Sequence, residues 1–467
     1  MAWTVQEIVA ATGGDIVRPG SKARLGEVVT DSTKVKNGSV FVALKGERRD
    51  GHGFIADAVQ RGAACIIAHR EVAKSILGEA TVVRVPDTLR ALGDLAHYRR
   101  MRLAPKVLAI TGSNGKTTTK EMVASILEEA TLDGRPLRGR VLKTEGNFNN
   151  LVGLPLTLLR LRKKDKIAVL ELGTNHPGEI RRLAEIAAPD AGIVTSVAAA
   201  HLEGLSSLAG VAREKGALYR GVRADGAIAV NLDDPWVVKI ARRFNGKKIT
   251  YGGRGQVRAR ACRLDDARGM RFTLCAGRQS CDVRLHYLGR HNVTNALGAA
   301  ALSLCAGAKL PAIRRGLEKA RPFAMRMEVQ SWRGIGIIND TYNANPASMK
   351  AALKTLAEIP CSGKKIAVLG DMFELGKHSR KEHYELGKTA ALSGVDALYL
   401  LGEQAAQVRR GALAGGMAQA RIAIGKNHAD VARRLGERAQ RGDWLLFKGS
   451  RGMKMEEIVR RFKERKA

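Results

Sequence analysis

The stretch Thr111-Gly112-Ser113-Asn114-Gly115-Lys116-Thr117-Thr118 lies between the apolar run Val107-Leu108-Ala109-Ile110 and a helix-patterned segment over 119–130. A strand, a tight glycine-rich turn and a helix start carrying Lys and Thr together form a cradle for phosphate. Backbone N–H groups and the positive end of the helix dipole face the anion there. Lys116 adds a full charge for the outer phosphates, and Thr117 offers a hydroxyl to Mg2+. The spacing is shorter than GxxxxGK(S/T), whose first glycine would fall at Ile110. This variant predicts an ATP site with Gly112, Asn114, Gly115, Lys116, Thr117 and Thr118 around the nucleotide. A glycine-rich turn with a surface lysine is the structural alternative, and the flanking strand and helix argue against it.

Outward from the turn, strand and helix signals alternate: 107–110 then 119–130, 167–172 then 178–187, 193–197 then 207–220, 227–231 then 234–243. The alternation predicts a parallel sheet covered by helices on both faces, with ligands at the carboxyl ends of the strands. Residues 252–290 read differently. Alternation in Met270-Arg271-Phe272-Thr273-Leu274 and a charged surround predict an antiparallel appendage, followed by an alanine-rich helix over 292–308.

Upstream, short strands over 38–44 and 64–67 flank a helix over 54–61. Asp31-Ser32-Thr33 and Asp50-Gly51-His52-Gly53 are candidate ligand loops, with ordinary turn chemistry as an equal reading. Downstream, apolar strands over 336–340, 365–371, 397–402 and 444–448 predict a Rossmann-like sheet, and no GxGxxG follows the first of them. The expected fold class is α/β in three domains. A small α/β domain covers 1–103, a central parallel-sheet P-loop-type ATPase domain 104–321, and a C-terminal Rossmann-like domain 322–467.

Composition narrows the function classes. The 467 residues are 45% hydrophobic, with a mean hydropathy of −0.16, as expected of a soluble globular chain. No apolar run approaches the roughly 20 residues of a membrane span. The N-terminus lacks the basic and apolar regions of a signal peptide. Six scattered cysteines without a CxxC pair suit a reducing cytoplasm better than a zinc site. Lys+Arg 79 against Asp+Glu 45 gives a net charge of +34, which raises nucleic acid as a partner. The basic residues are spread in short groups, however, and 4% aromatics are too few for a stacking platform. The charge therefore reads as a solvated basic surface that steers anionic substrates, with no nucleic acid required.

Other candidate residues sit at strand ends and helix faces. Glu171 closes the strand 167–170, where a carboxylate reaches a metal held by Thr117. His201 follows a further strand and suits a second divalent ion. An exposed strand-end Glu and a hydrogen-bonded loop His are their structural alternatives. Lys215 lies in a helix pattern, where a solvated amine is the ordinary outcome. Asn292 and Asn295 share a helix face suited to hydrogen-bonding an adenine, or else are a cap and a surface amide. Asp340 ends a strand within reach of ribose hydroxyls, and Arg326 at the domain junction can grip a phosphate.

Taken in order, TGSNGKTT, TEGNFNNLVGLPLTL, LELGTNHPGEI, HLEGLSSLAGVAREKG, GRHNVTNALGAAAL, MRMEV and NDTYNANPASM resemble the Mur ligase family. These are the cytoplasmic ATP-dependent amide-bond synthetases of the peptidoglycan stem peptide. The similarity extends to VFVALKGERRDGHGF near the start and to LGDMFELG and FKGSRGMKMEEI near the end. TEGNFNNLVGLPLTL, NDTYNANPASM and LGDMFELG resemble the branch that adds D-Ala-D-Ala. They argue against ligases of single amino acids and against folylpolyglutamate-type synthases.

The resemblance implies a cytoplasmic monomer that closes around ATP, Mg2+, UDP-N-acetylmuramoyl-tripeptide and D-Ala-D-Ala. It implies Lys116 and Arg326 on phosphates, Thr117 and Glu171 on one metal ion, and His201 on another. Lys215 matches a lysine carbamylated in relatives, where it helps hold the second metal; Lys116, Lys215 and Arg326 are then the catalytic set. Asn292 and Asn295 fall at the adenine and Asp340 at the ribose. Asn147, Asn149 and Asn150 line the muramoyl-peptide path, and Ser32, Tyr342, Asn343 and Asn345 also contact substrate. One departure stands out: relatives often carry Arg after Asp-Ser or Asp-Thr, whereas Asp31-Ser32 is followed by Thr33 and Lys34. A lysine there loses the bidentate grip of a guanidinium.

Overall fold

The computed structural model describes residues 2–46, 49–199, 202–265 and 268–464. A five-stranded sheet comes first: β1 (Asp15–Arg18), β2 (Val28–Val29), β3 (Val40–Val42), β4 (Cys65–Ala68) and β5 (Thr81–Arg84), in the order β1-β5-β4-β3-β2. Only β1 runs antiparallel to its neighbour. Every residue of β3 and β4 is buried, which is why they read as unbroken apolar runs.

The helix Thr88–Leu103 leads out of this sheet, capped by the Asp87 carboxylate on Leu89 N and Arg90 N. Its last turns carry the joint to the next layer. Arg99 donates to Leu161 O, and Arg100 donates to Ala187 O, Ala188 O and Asp190 Oδ2. Both guanidiniums are buried; they donate to carbonyls at or just beyond the ends of the helices Gly153–Leu159 and Glu179–Ala187, and Arg100 also to the Asp190 carboxylate.

The second sheet has nine strands. It comprises β6 (Lys106–Thr111), β9 (Val141–Lys143), β10 (Ile167–Glu171), β11 (Ala191–Val194), β12 (Ala227–Asn231), β13 (Lys247–Tyr251), β14 (Val257–Asp265), β15 (Gly269–Ala276) and β16 (Gln279–Leu285). The order is β16-β15-β14-β13-β12-β11-β6-β10-β9, while β7 (Thr131–Leu132) and β8 (Arg135–Pro136) pair as a separate ribbon. Register places Glu171 beside Ile110 and Val194 beside Thr111, so three strand ends meet at the phosphate turn.

The predicted antiparallel appendage is instead the continuation of this sheet. β14 joins β13 through a parallel Tyr251–Val257 pair, and β14 to β16 then run antiparallel. Met270, Phe272, Leu274, Val283 and Leu285 face the same core as Leu108, Ile110 and the helix Lys116–Glu128. That shared apolar face is the physical reason the strands cannot stand apart. The alanine-rich helix runs Arg290–Cys305, and its small side chains let it lie close against the sheet.

The third sheet is β17 (Glu328–Trp332), β18 (Ile335–Asp340), β19 (Lys365–Gly370), β20 (Ala397–Leu401), β21 (Ile422–Ile424) and β22 (Trp444–Lys448), ordered β17-β18-β22-β19-β20-β21. All neighbours are parallel except the β17–β18 hairpin. The expected strands are present. The edge strands β17 and β21 are half-buried and gave no apolar run to read.

Candidate active site

The phosphate turn is shaped by two glycines. Gly112 has φ 150° and Gly115 φ 81°. A Cβ on Gly112 would stand 1.9 Å from Thr195 Oγ1, and one on Gly115 would stand 2.2 Å from Asn295 Oδ1. Gly115 precedes the helix Lys116–Glu128 and has no side chain to cap it, which leaves the first N–H groups to an anion. Lys116 folds back so that Nζ donates to Gly112 O at 2.6 Å. Burial pushes its amine below the usual lysine range; the Glu171 carboxylate opposes this, and the Arg326 charge adds to it.

Next to Lys116, Thr117 Oγ1 donates to Glu171 Oε2 at 2.9 Å, and Asn149 Nδ2 donates to Glu171 Oε1 at 2.9 Å. Glu171 is 2% exposed, so its carboxylate is presented only toward the turn and the adjoining cavity. A hydroxyl and a carboxylate side by side are hard oxygen donors. That set fits a Mg2+ ion that also takes phosphate oxygens and keeps waters. Among the described residues, no cluster of three His, Cys, Asp or Glu is arranged as a self-sufficient metal cage.

A cavity of about 760 Å3 opens from this turn toward the third sheet. Asn114, Gly115, Lys116, Thr117, Thr118, Asn147, Asn149, Asn150 and Glu171 form its central wall. Asn292, Asn295, Arg326, Asp340, Tyr342, Asn343 and Asn345 form the rest of the predicted set. Asn295 donates to Asn292 Oδ1 at 2.9 Å, and Asn292 donates to Leu288 O at 2.8 Å. These amides are therefore inward and ordered, not a cap and a surface group.

Arg326 stacks over the Tyr342 ring, 3.9 Å from its centre. Met325 and Met327 on either side hold φ of 61° and 50°. Among the described residues, Arg326 Nε is buried without a hydrogen-bond partner, a donor left over for a ligand. Asn345 caps the helix Pro346–Glu358 by accepting from Ser348 N, and its amide reaches Asn114 Oδ1 at 2.7 Å.

Three predicted residues lie elsewhere. Gly112 shapes the turn and accepts from Lys116 Nζ through its carbonyl, but it does not line the cavity. Ser32 is buried in the first sheet's layer, where its hydroxyl holds the Asp57 carboxyl below its usual range. Lys215 is 1% exposed on the helix Leu208–Gly221, so the solvated alternative fails. Burial pushes its amine well below the lysine range, and the nearby Lys116 charge adds to this while Glu214 opposes it. His201 lies outside the described residues.

Sequence reading missed other groups. Lys448, at the end of β22, donates to Asp340 Oδ2 at 2.5 Å and to Asn343 O at 3.0 Å, so the expected ribose carboxylate already has a cation beside it. Glu214 accepts from Gly178 N at 2.8 Å and Ile180 N at 2.7 Å, pinning the start of the helix Glu179–Ala187 next to Lys215. His291 lines the cavity with its pKa lowered to about 4 by burial; Asp340 opposes this and Lys448 reinforces it. Lys448 carried a legible signal, a charge closing the apolar strand Trp444-Leu445-Leu446-Phe447; the other two carried none.

Comparison with known proteins agrees with this arrangement. Residues 25–100 match the Mur ligase family catalytic domain, 110–303 the Mur ligase middle domain, and 325–451 the Mur ligase glutamate ligase domain. The UDP-N-acetylmuramoyl-tripeptide--D-alanyl-D-alanine ligase of Escherichia coli K12 is 37% identical, covering 99% of this chain and 98% of its own. The Bacillus subtilis enzyme of the same name is 35% identical, covering 98% and 97%. Among solved structures, MurF from Acinetobacter baumannii superposes with a TM-score of 0.91 at 34% identity, covering 100% of this chain and 99% of that one. MurF from Thermotoga maritima in complex with ADP superposes at 0.82 and 28% identity, covering 94% and 97%. Matched by three Mur ligase domain models and by relatives 35–37% identical along nearly the whole length of both chains, this chain belongs to the Mur ligase family.

Proposed function

We propose that this protein is an ATP-dependent ligase that joins D-Ala-D-Ala to UDP-N-acetylmuramoyl-tripeptide, releasing ADP and phosphate, in cytoplasmic peptidoglycan precursor synthesis. The observation that carries the reading is the single cavity shared by the Lys116 helix start, Glu171, Arg326 and Asp340. Full-length relatives bearing that enzyme name support it. The working division is 1–103 for the UDP end, 104–321 for ATP and 322–467 for the incoming dipeptide, in a monomer. No helix among the described residues is long and apolar enough to cross a membrane.

A free carboxylate does not react usefully with an amine, so its oxygen must first be carried on a phosphoryl group. The tripeptide carboxylate attacks the γ-phosphorus of ATP, ADP leaves, and an acyl phosphate results. The D-Ala-D-Ala amine then adds to the acyl carbon, loses a proton, and phosphate departs with the carboxylate oxygen. Lys116 and Arg326 hold the γ-phosphoryl group and the charge that develops on it. Thr117 and Glu171 hold Mg2+, which neutralises phosphate charge when bound.

Asn292 and Asn295 take the adenine, and Asp340 the ribose beside Lys448. Asn147, Asn149, Asn150, Tyr342, Asn343 and Asn345 flank the path to the acyl carbon. Ser32 acts with the UDP end. Burial pushes the Lys215 amine well below the usual lysine range, which favours the form that adds CO2; a carbamate on Lys215 would, with His201, supply ligands to a second metal ion. Closure of the third sheet over the turn excludes water, which would hydrolyse the acyl phosphate.

An isotope experiment tests the route. Tripeptide carrying 18O in its terminal carboxylate should deliver one 18O to the released phosphate, and only when D-Ala-D-Ala is present. Phosphate free of 18O would contradict the acyl-phosphate path.

A further inference from the structure

Lys120 belongs to the phosphate helix, one turn after Thr117, and is fully buried. A buried ammonium is costly unless its hydrogens are taken up. Lys120 Nζ donates to Thr144 O at 2.7 Å and lies 2.7 Å from Glu121 Oε1. It also stands 5.9 Å from the centre of the Phe323 ring. Burial pushes the Glu121 carboxyl up, but Lys120 and Lys143 outweigh it and hold the group below its usual range.

Thr144 is tied in turn to Glu171. Its hydroxyl accepts from Glu171 N at 3.0 Å, and its own N–H donates to Val169 O at 3.0 Å. The helix therefore grips Glu171 twice: Thr117 on the carboxylate, and Lys120 through the residue that receives the Glu171 amide. Thr144 also opens the segment whose Asn149 donates to the other carboxylate oxygen. Phe323 supplies a third connection, because its carbonyl accepts from Arg326 N at 3.1 Å.

We infer that Lys120 is a positioning residue, which fixes the Glu171 carboxylate through Thr144 and the segment before Arg326 through Phe323. The inference rests on Thr117 and Glu171 as the oxygen donors to Mg2+. Lys120 touches neither nucleotide nor metal; its contribution is the placement of groups that do.

The test is calorimetric titration of ADP into the full-length protein, with Mg2+ and then in EDTA, for wild type, Lys120→Met and Thr144→Val. Both variants should bind ADP in EDTA as wild type does, while the gain in affinity on adding Mg2+ falls about tenfold. Should Lys120→Met fail to fold, Thr144→Val, which keeps the carbonyl and the side-chain shape, carries the same test. Variants that keep the full Mg2+ gain beside a responsive wild type overturn this inference alone. So do variants that weaken equally in EDTA, since that marks general loss of structure. A wild type indifferent to Mg2+ overturns the Thr117–Glu171 reading and this inference with it.

Discussion

Asn345 Nδ2 donates to Asn114 Oδ1 at 2.7 Å, joining the first helix of the third layer to the phosphate turn across 231 residues of chain. Asn345 also caps that helix, so its two ends serve different purposes: the carbonyl stabilises the helix start and the amide reports the position of the turn. Asn345→Ser keeps an oxygen for the cap and removes the reaching amide. It should lower ATP affinity with little change in melting temperature, whereas Asn345→Ala should also lose about 1 kcal/mol of stability. A double-mutant cycle with Asn114→Ala, read by nucleotide titration, should give a coupling of about 0.5–3 kcal/mol. Additive effects would mean the contact is incidental.

Lys116→Ala should reduce kcat at least about a hundredfold, because a preorganised charge on the transferring phosphoryl group is lost. Stability should hold or rise, since the wild-type amine is disfavoured by burial. Steady-state kinetics and thermal melting separate the two effects.

Gly115→Ala places a Cβ 2.2 Å from Asn295 Oδ1 at a left-handed φ of 81°. The expected cost is about 1–3 kcal/mol in stability, with nucleotide binding weakened as the turn and Asn295 separate. ADP binding at wild-type strength in this variant would show that the turn tolerates rearrangement.

His291 gives a pH signature. Its pKa is lowered from 6.5 to about 4, with burial as the main cause. Between those values the unfolded chain binds more protons at this residue than the folded protein does. Its contribution to stability is therefore complete above pH 6.5 and is lost as pH falls toward 4. Denaturant titrations at several pH values should show a shallower acid decline in His291→Gln than in wild type. Identical declines would place the acid sensitivity elsewhere.

Legibility from sequence followed locality. The phosphate turn was readable because strand, glycines, Lys116 and Thr117 are contiguous, and Glu171 because it closes an apolar run. Asp340 was readable as a strand end, but its pairing with Lys448 is a contact 108 residues long and has no local trace. Glu214 and His291 become notable only through what buries them. The strands β14 to β16 looked like an appendage because their outward face is charged. Their inward residues complete a core that only the folded sheet reveals.

The most direct measurement is phosphate release from Mg2+-ATP in the presence of UDP-N-acetylmuramoyl-tripeptide, compared across D-Ala-D-Ala, single amino acids and no amine. Release that requires both the tripeptide nucleotide and D-Ala-D-Ala is the predicted result. Release with a single amino acid in place of the dipeptide, or with nucleic acid alone, would contradict it.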